Sequence, residues 1–130
     1  MLQSIRKDAT SLVEQACLSG RDELFLINLE KVLYMQADDH YSHIYYSSSH
    51  HFLVPYGLSA IEGVIAKSEG GKYLMRLGRK YIVNLDRIFY INNVKSTLSL
   101  ADDQGKTTVL HISKPILRGV VEIINSHQRD

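Results

Sequence analysis

Short apolar runs alternate with short polar segments over most of the chain. Aromatic and β-branched residues are concentrated in these runs, which are ELFLIN, KVLYMQA, SHIYYS, HFLVPY, RIFYIN, STLSLA and TTVLHIS. This composition is typical of β-strands. The segments between the runs, such as ADDH and ADDQGK, are rich in turn residues and favour antiparallel hairpins over a parallel sheet. The pattern therefore predicts a mainly β fold built of small antiparallel sheets.

Two stretches interrupt the strands with apolar residues at helical spacing. These residues are Leu58, Ile61, Val64 and Ile65 in the first stretch, and Ile116, Leu117, Val120, Val121 and Ile124 in the second. Each set falls on one face of a helix, so both stretches are predicted to be short helices that cover a core. Ser113 is a suitable N-cap and Pro115 is tolerated in a first turn. The second helix is therefore predicted to start at this point.

A third helical pattern precedes the strands. Apolar residues recur at Ile5, Ala9, Leu12, Val13, Ala16 and Cys17. We therefore predict an N-terminal helix, and divide the chain into a helix and linker over residues 1–22 and one domain over residues 23–130. Cys17, the single cysteine, is expected to be buried and inert on the apolar face of this helix. One cysteine cannot form an intramolecular disulfide, which agrees with a reducing, cytoplasmic location.

The charged residues are unevenly distributed along a chain of 130 residues with a formal net charge of +1. Between Lys72 and Arg87 there are five basic residues and one acid, whereas Asp22 to Asp39 holds five acids and one lysine. The near-neutral total therefore conceals a polarised chain. No apolar run approaches the roughly 20 residues that cross a bilayer, so no membrane partner is expected.

Histidines are concentrated in one segment, since four of the six lie between Asp38 and His51. His40 and His43 are three residues apart, and on a strand this odd separation would put them on opposite faces. The helical zinc motif of two histidines with a glutamate between them is missing. A metal site at His40 and His43 is therefore a minor alternative, and no metal or cofactor is predicted.

No pattern of catalytic residues is present, so an enzyme is not predicted. The chain lacks the Gly-x-Ser-x-Gly elbow of a hydrolase. Its SEGGKY segment lacks the full phosphate-loop pattern and is better interpreted as a helix end and turn. The carboxylate pairs Asp38–Asp39 and Asp102–Asp103 occur in turn-like sequence, where such side chains usually cap their own backbone.

A binding surface is the interpretation that remains. Arg76, Arg79 and Lys80 crowd a turn between apolar residues, and cations held on an anchored turn suit phosphates and base edges. Lys114, at a predicted helix start, and Arg118, one turn later, could meet a phosphate together. These segments favour a nucleic-acid partner.

The tyrosines and the histidine between Tyr41 and Tyr45 leave two alternatives open. Tyr41, His43 and Tyr45 alternate onto one face of a predicted strand. That face suits a binding surface, but a half-buried strand whose tyrosines keep their hydroxyls in water explains it equally well.

Three segments, in this order, resemble the LytTR DNA-binding domain of bacterial transcription regulators. They are INLEKVLYMQADDHYSHIYY, YLMRLGRKYIVNLDRIFYI and TTVLHISKPILRGVVEII, and the part RKYIVNLDRI is close to the family's usual RSYIVNLDHI. The resemblance runs from about Glu23 to Asn125. It implies an elongated, mostly β domain of small antiparallel sheets and short helices that reads double-stranded DNA with loops.

The resemblance also implies three DNA-contacting loops. Their residues are Asp39, His40, Tyr41, Ser42 and His43 in the first, Arg76, Gly78, Arg79 and Lys80 in the second, and Ser113, Lys114 and Pro115 in the third. Gly78 stands where the family usually has histidine, Lys80 where a small residue is common, and Pro115 where a second basic residue often follows. Lys80 and Arg118 are expected to offset the lost contacts.

Members of the family typically bind promoter direct repeats as pairs, with loops in successive major grooves, and usually follow a receiver domain in a response regulator of a two-component system. The expected partners are thus double-stranded DNA, a second copy on that DNA, and an upstream receiver domain or sensor kinase. No receiver domain precedes Glu23 in this sequence, which predicts a freestanding regulator, a short variant or an excised domain.

The alternative is a β-rich protein-interaction or sensing domain that keeps the fold without binding DNA. Internal salt bridges to Arg76, Arg79 and Lys80 together would favour that alternative.

Overall fold

The computed structural model describes residues 15–128. Within them the strands are β1 (Gln15–Ser19), β2 (Leu24–Asn28), β3 (Tyr34–Asp38), β4 (Tyr41–Tyr45), β5 (His51–Val54), β6 (Leu74–Leu77), β7 (Tyr81–Asn84), β8 (Ile88–Asn92), β9 (Thr97–Ala101) and β10 (Thr107–His111). The α-helices are α1 (Leu58–Ile65) and α2 (Lys114–Gln128), and short 3-10 turns cover Leu29–Lys31, Glu69–Gly71 and Leu85–Arg87. Neither α-helix is long and apolar enough to cross a bilayer.

The strands form three antiparallel sheets, as the alternation of apolar runs and turns predicted. The central sheet has five strands in the order β5-β4-β3-β7-β6, flanked by the pair β1-β2 and by a three-stranded sheet in the order β10-β9-β8. Every run that was interpreted as a strand contains one. The two predicted helices are also confirmed: α1 buries Leu58, Ile61 and Ile65, and α2 begins immediately after Ser113.

The central sheet is buried on both faces because its strands carry apolar residues at successive positions. Side chains of neighbouring residues in a strand point to opposite faces, so Tyr34 and Met35 enter different cores. The first core joins one face to α1 and to β1-β2, through residues such as Met35, Ile44 and Ile61. The second core joins the other face to α2 and the three-stranded sheet. Its fully or nearly buried members are Leu33, Tyr34, Leu77, Tyr81, Val83, Leu98, Leu100, Leu110, Ile112, Leu117 and Val120.

The predicted N-terminal helix is not supported. Gln15–Ser19, which includes the last residues of the predicted helix, forms β1 and pairs antiparallel with β2. Ala16 and Leu18 point into the first core, whereas Cys17 between them is exposed and not buried as we expected. A strand buries alternate residues, so it accommodates this pattern as well as a helix does, and pairing with β2 supplies the hydrogen bonds. The earlier part of the predicted helix lies outside the described residues, and the domain boundary at residues 22–23 stays a prediction.

Candidate functional site

Two hairpin turns lie side by side at one end of the central sheet. The β3–β4 hairpin turns at Asp39 and His40, and the β6–β7 hairpin turns at residues 78–80. Strands β3 and β7 are neighbours, and the backbone N–H of Ala37 donates to the carbonyl of Lys80 at 2.8 Å. Because antiparallel neighbours bring the end of one strand beside the start of the other, the two turns emerge together.

The start of α2 meets the second of these turns. A Cβ atom built on Gly78 would lie 2.9 Å from Cδ1 of Ile116, so the backbone of the turn touches the first turn of the helix. The sheet hydrogen bond and this contact bring together three segments that are far apart in sequence. We call their assembly, residues 38–41, 78–80 and 113–116, the loop end.

The β3–β4 turn presents exposed polar and aromatic groups. Asp39 adopts a positive φ of 57°, which aspartate tolerates better than most residues because its short side chain can hydrogen-bond locally. His40 and Asp39 are almost fully exposed, with Nε2 of His40 3.7 Å from Oδ1 of Asp39. Tyr41 is exposed at the start of β4. These three predicted site residues are open to a ligand.

The next two predicted residues of the first loop are less accessible. Ser42 has 0% exposure, and its hydroxyl donates to the carbonyl of Tyr56 at 2.7 Å. His43 is half-buried, and its Nε2 lies 2.9 Å from Oδ2 of Asp38. Ser42 thus faces the first core, while His43 lies on the opposite face, as the alternation of the strand predicted.

The β6–β7 turn exposes two cations, while a third cation, in β6, is bound by other residues of the domain. Arg79 and Lys80 are exposed, and among the described residues neither makes an internal ion pair. The ammonium of Lys80 lies 5.4 Å from the ring centroid of Tyr81, which holds the charge near the turn. Arg76 lies on the face of the central sheet that packs against α1, where its NH1 donates to Oε1 of Glu62 at 3.1 Å. Two of the three cations are therefore available, and the third is engaged inside the domain.

Gly78 is required by the geometry of this turn, since its φ is 69° and Ile116 lies against it. We expect Gly78→Ala to lower the free energy of unfolding by about 1–2 kcal/mol, because an L residue is strained in the left-handed region. Chemical denaturation measures the change. Gly63→Ala is the control: a Cβ on this exposed glycine of α1 meets no atom within 4 Å, so we expect a gain of about 0.5–1 kcal/mol. Equal changes in the free energy of unfolding at both positions would contradict the conclusion that the turn requires glycine at position 78.

The start of α2 is attached to a turn that the sequence did not single out. Nζ of Lys114 donates to the carbonyls of Asn93 at 2.9 Å and Val94 at 3.2 Å, in the β8–β9 turn. Both acceptors are neutral, so Lys114 keeps its net positive charge, but its position is set by the turn. Ser113, at the N-cap position, is exposed, as is Arg118 one turn along the helix. No local sequence pattern links Lys114 to a turn 20 residues earlier.

A row of stacked rings crosses the face of the central sheet that carries His43. The ring of Tyr45 lies between those of Tyr34 and His51, with 4.4 Å between centroids on each side. Tyr34 is the most buried of these rings, and burial, reinforced by the neighbouring Tyr45, raises the pKa of its hydroxyl far above the usual range. His51, which no sequence motif singled out, stacks here because β5 pairs with β4. The histidine-rich segment thus contributes mainly to an aromatic face of the sheet.

The metal alternative gains no support from the geometry of the histidines. Within residues 15–128, no three histidine, cysteine, aspartate or glutamate side chains converge on a point that could hold an ion. His40 lies in the turn, whereas His43 lies on β4 beside Asp38. The two histidines therefore contact different acids, His40 in the turn and His43 on the strand.

The fold agrees with the comparisons to known proteins. The family model described as the LytTr DNA-binding domain matches residues 22–125. The chain belongs to the LytTR family. A solved structure described as the LytTr DNA-binding domain of a response regulator from Bacillus cereus has the same fold, with a TM-score of 0.55 and 21% sequence identity. The match covers 83% of this chain and 96% of that one. A search of curated proteins found no match.

Membership in the LytTR family agrees with the interpretation as a binding module. The family is one of DNA-binding domains, and its model covers all three segments that form the loop end. The mainly β prediction and the resemblance are therefore confirmed together, while the roles of the individual site residues stay predictions.

Proposed function

We propose that this LytTR domain binds double-stranded DNA sequence-specifically, as the output domain of a bacterial response regulator. The observation that carries the proposal is the loop end, where exposed Arg79 and Lys80 lie beside the β3–β4 turn and the start of α2. Exposed cations on short, anchored turns can reach phosphates and base edges with little further loss of backbone conformational entropy, because the turn is already held in place. Because promoter DNA lies in the bacterial cytoplasm, the function implies that location.

The residues available to DNA form a smaller set than the sequence suggested. We propose that DNA is contacted by exposed residues, namely Asp39, His40, Tyr41, Gly78, Arg79, Lys80, Ser113, Lys114 and Arg118. Ser42 is buried, and His43 is held against Asp38, so we assign both to the support of the first loop. His40 and Tyr41 offer hydrogen-bonding groups, whereas Arg79 and Lys80 supply charge.

We propose that pairs of copies bind direct repeats, with the loop end of each copy in the major groove. A direct-repeat duplex should then bind two copies and a single-repeat duplex one, as measured by analytical ultracentrifugation. A receiver domain or sensor kinase is proposed as the upstream partner that controls this pairing.

DNA affinity is expected to fall steeply with salt. If about three cations neutralise phosphates, raising salt from about 50 to about 200 mM should weaken binding on the order of 40-fold. The measurement is fluorescence anisotropy with duplexes that the protein selects from a random library, compared with scrambled duplexes of equal length. Binding that ignores salt, or a library from which no sequence is enriched, would contradict DNA recognition.

The protein-interaction alternative is not favoured by the described ion pairs. It would be supported if Arg76, Arg79 and Lys80 were all held by internal acids. Among residues 15–128, only Arg76 of these three has such a partner.

A further inference from the structure

Arg76 links helix α1 to the backbone of the β6–β7 turn. Its Nε donates to the carbonyl of Gly78 at 2.7 Å, while NH1 donates to Oε1 of Glu62 at 3.1 Å and approaches Oγ of Ser59 at 3.4 Å. The guanidinium is planar and rigid, so an acid bound at one edge orients the donor at another. Arg76 therefore connects Glu62 to the carbonyl of Gly78.

This link completes the attachment of the turn on three sides. The carbonyl of Lys80 accepts a hydrogen bond from Ala37 in β3, and Gly78 packs against Ile116 at the start of α2. Arg76 supplies the remaining attachment, to α1. Arg79, between Gly78 and Lys80, is thus presented by a turn whose backbone is held on both sides of it.

We propose that Glu62 is a positioning residue for DNA recognition, acting through Arg76 to orient the turn that presents Arg79. The inference rests on the proposed function and deepens it. It also assigns Arg76 to the support of the turn, because its side chain is only 23% exposed and donates to three internal acceptors. Misplacement of a contact by even a small distance weakens recognition, which gives a distant acid an effect on affinity.

The sign of the effect separates positioning from simple electrostatics. Glu62 is a carboxylate close to a surface that would face phosphates, so removing its charge should strengthen DNA binding if charge alone matters. If Glu62 positions the turn, its removal should weaken binding to the selected duplex. The same change should leave binding to a scrambled duplex unchanged or slightly stronger, because non-specific binding depends mainly on charge.

Two variants of equal charge test the proposal on the full chain. Glu62→Gln keeps an oxygen that can accept from Arg76, whereas Glu62→Met has a similar size and no such acceptor. We expect Glu62→Met to weaken binding to the selected duplex by about three- to tenfold, the range of one or two lost hydrogen bonds, and Glu62→Gln to weaken it less. Fluorescence anisotropy with the selected and scrambled duplexes gives the ratio of the two affinities, which a general loss of fold stability would not change in this graded way.

Glu69→Gln serves as the matched control, since it removes one negative charge from an exposed residue in the 3-10 turn after α1. It should leave the affinity ratio unchanged. The proposal fails if Glu62→Gln and Glu62→Met strengthen binding equally, or if their affinity ratios match that of the wild type. Failure of the wild type to select any sequence would instead overturn the proposed function, so the two failures are distinguishable.

Discussion

Replacing Arg79 by alanine is expected to weaken binding to the selected duplex by about 1–3 kcal/mol, with little change in the free energy of unfolding. Arg79 is exposed at the tip of the β6–β7 turn and makes no ion pair among residues 15–128, so its removal leaves no buried group without a partner. A guanidinium that makes two hydrogen bonds to a base edge carries this much discrimination. Anisotropy measures the binding, and chemical denaturation measures the stability.

Two further variants separate a base contact from a phosphate contact. Arg79→Lys keeps the charge but loses the planar pair of donors, so it should bind scrambled duplexes normally and select its site poorly if Arg79 reads a base. Lys67→Ala removes one positive charge beside Leu74, at the end of β6 opposite the loop end, and should change affinity little. Equal losses for Arg79→Ala and Lys67→Ala would show that only the total charge matters.

Replacing Asn84 by alanine is expected to lower the free energy of unfolding by about 2–4 kcal/mol, because it leaves the buried carbonyl of Val32 and the partly buried N–H of Asp86 without their partner. Asn84 is only 4% exposed, its Nδ2 donates to the carbonyl of Val32 at 2.8 Å, and its Oδ1 accepts from the N–H of Asp86 at 3.0 Å. It belongs to the segment YIVNLDRI, which is close to the family's usual sequence. Its role here is to join β7 to the segment before β3. Urea denaturation measures the loss.

Asn84→Asp and Asn92→Ala serve as comparison variants for Asn84→Ala. The aspartate keeps the acceptor for Asp86 but sets a second acceptor oxygen against the buried carbonyl of Val32, so a loss at least as large as that of alanine is expected. Asn92 also accepts backbone N–H groups with its Oδ1, from Val94 and Lys95, but in an exposed turn where water replaces the lost bonds. Its replacement should therefore cost far less. A stable Asn84→Ala protein that no longer binds DNA would show that this residue acts in recognition instead.

Local sequence was a good guide wherever an element buries a simple periodic face. The β-strand runs and both helices follow from their apolar periodicity, and the match to the family follows from three segments in order. The N-terminal prediction was wrong at Gln15–Ser19 because a short amphipathic strand and the end of an amphipathic helix share apolar positions. Only the pairing of β1 with β2 distinguishes them.

For the candidate site, the sequence indicated the residue types, whereas the contacts of their side chains became visible only in the folded structure. The residue types of the three loops and the basic character of residues 72–87 were visible in the sequence. Sequence alone did not show that Ser42 faces Tyr56, that Arg76 binds Glu62, or that Lys114 holds the β8–β9 turn. Each of these contacts joins residues at least 14 positions apart.

The sequence predicted seven of the ten strands of residues 15–128, both helices, the family and the set of candidate contact residues, because periodicity and motif order are local properties of the chain. Only the tertiary structure shows which candidates face outward and which are buried or engaged by other side chains. Strand pairing and helix docking select the partner of each side chain, and those partners come from distant parts of the sequence. The availability of Arg79 and the engagement of Arg76, only three residues away, depend on that packing.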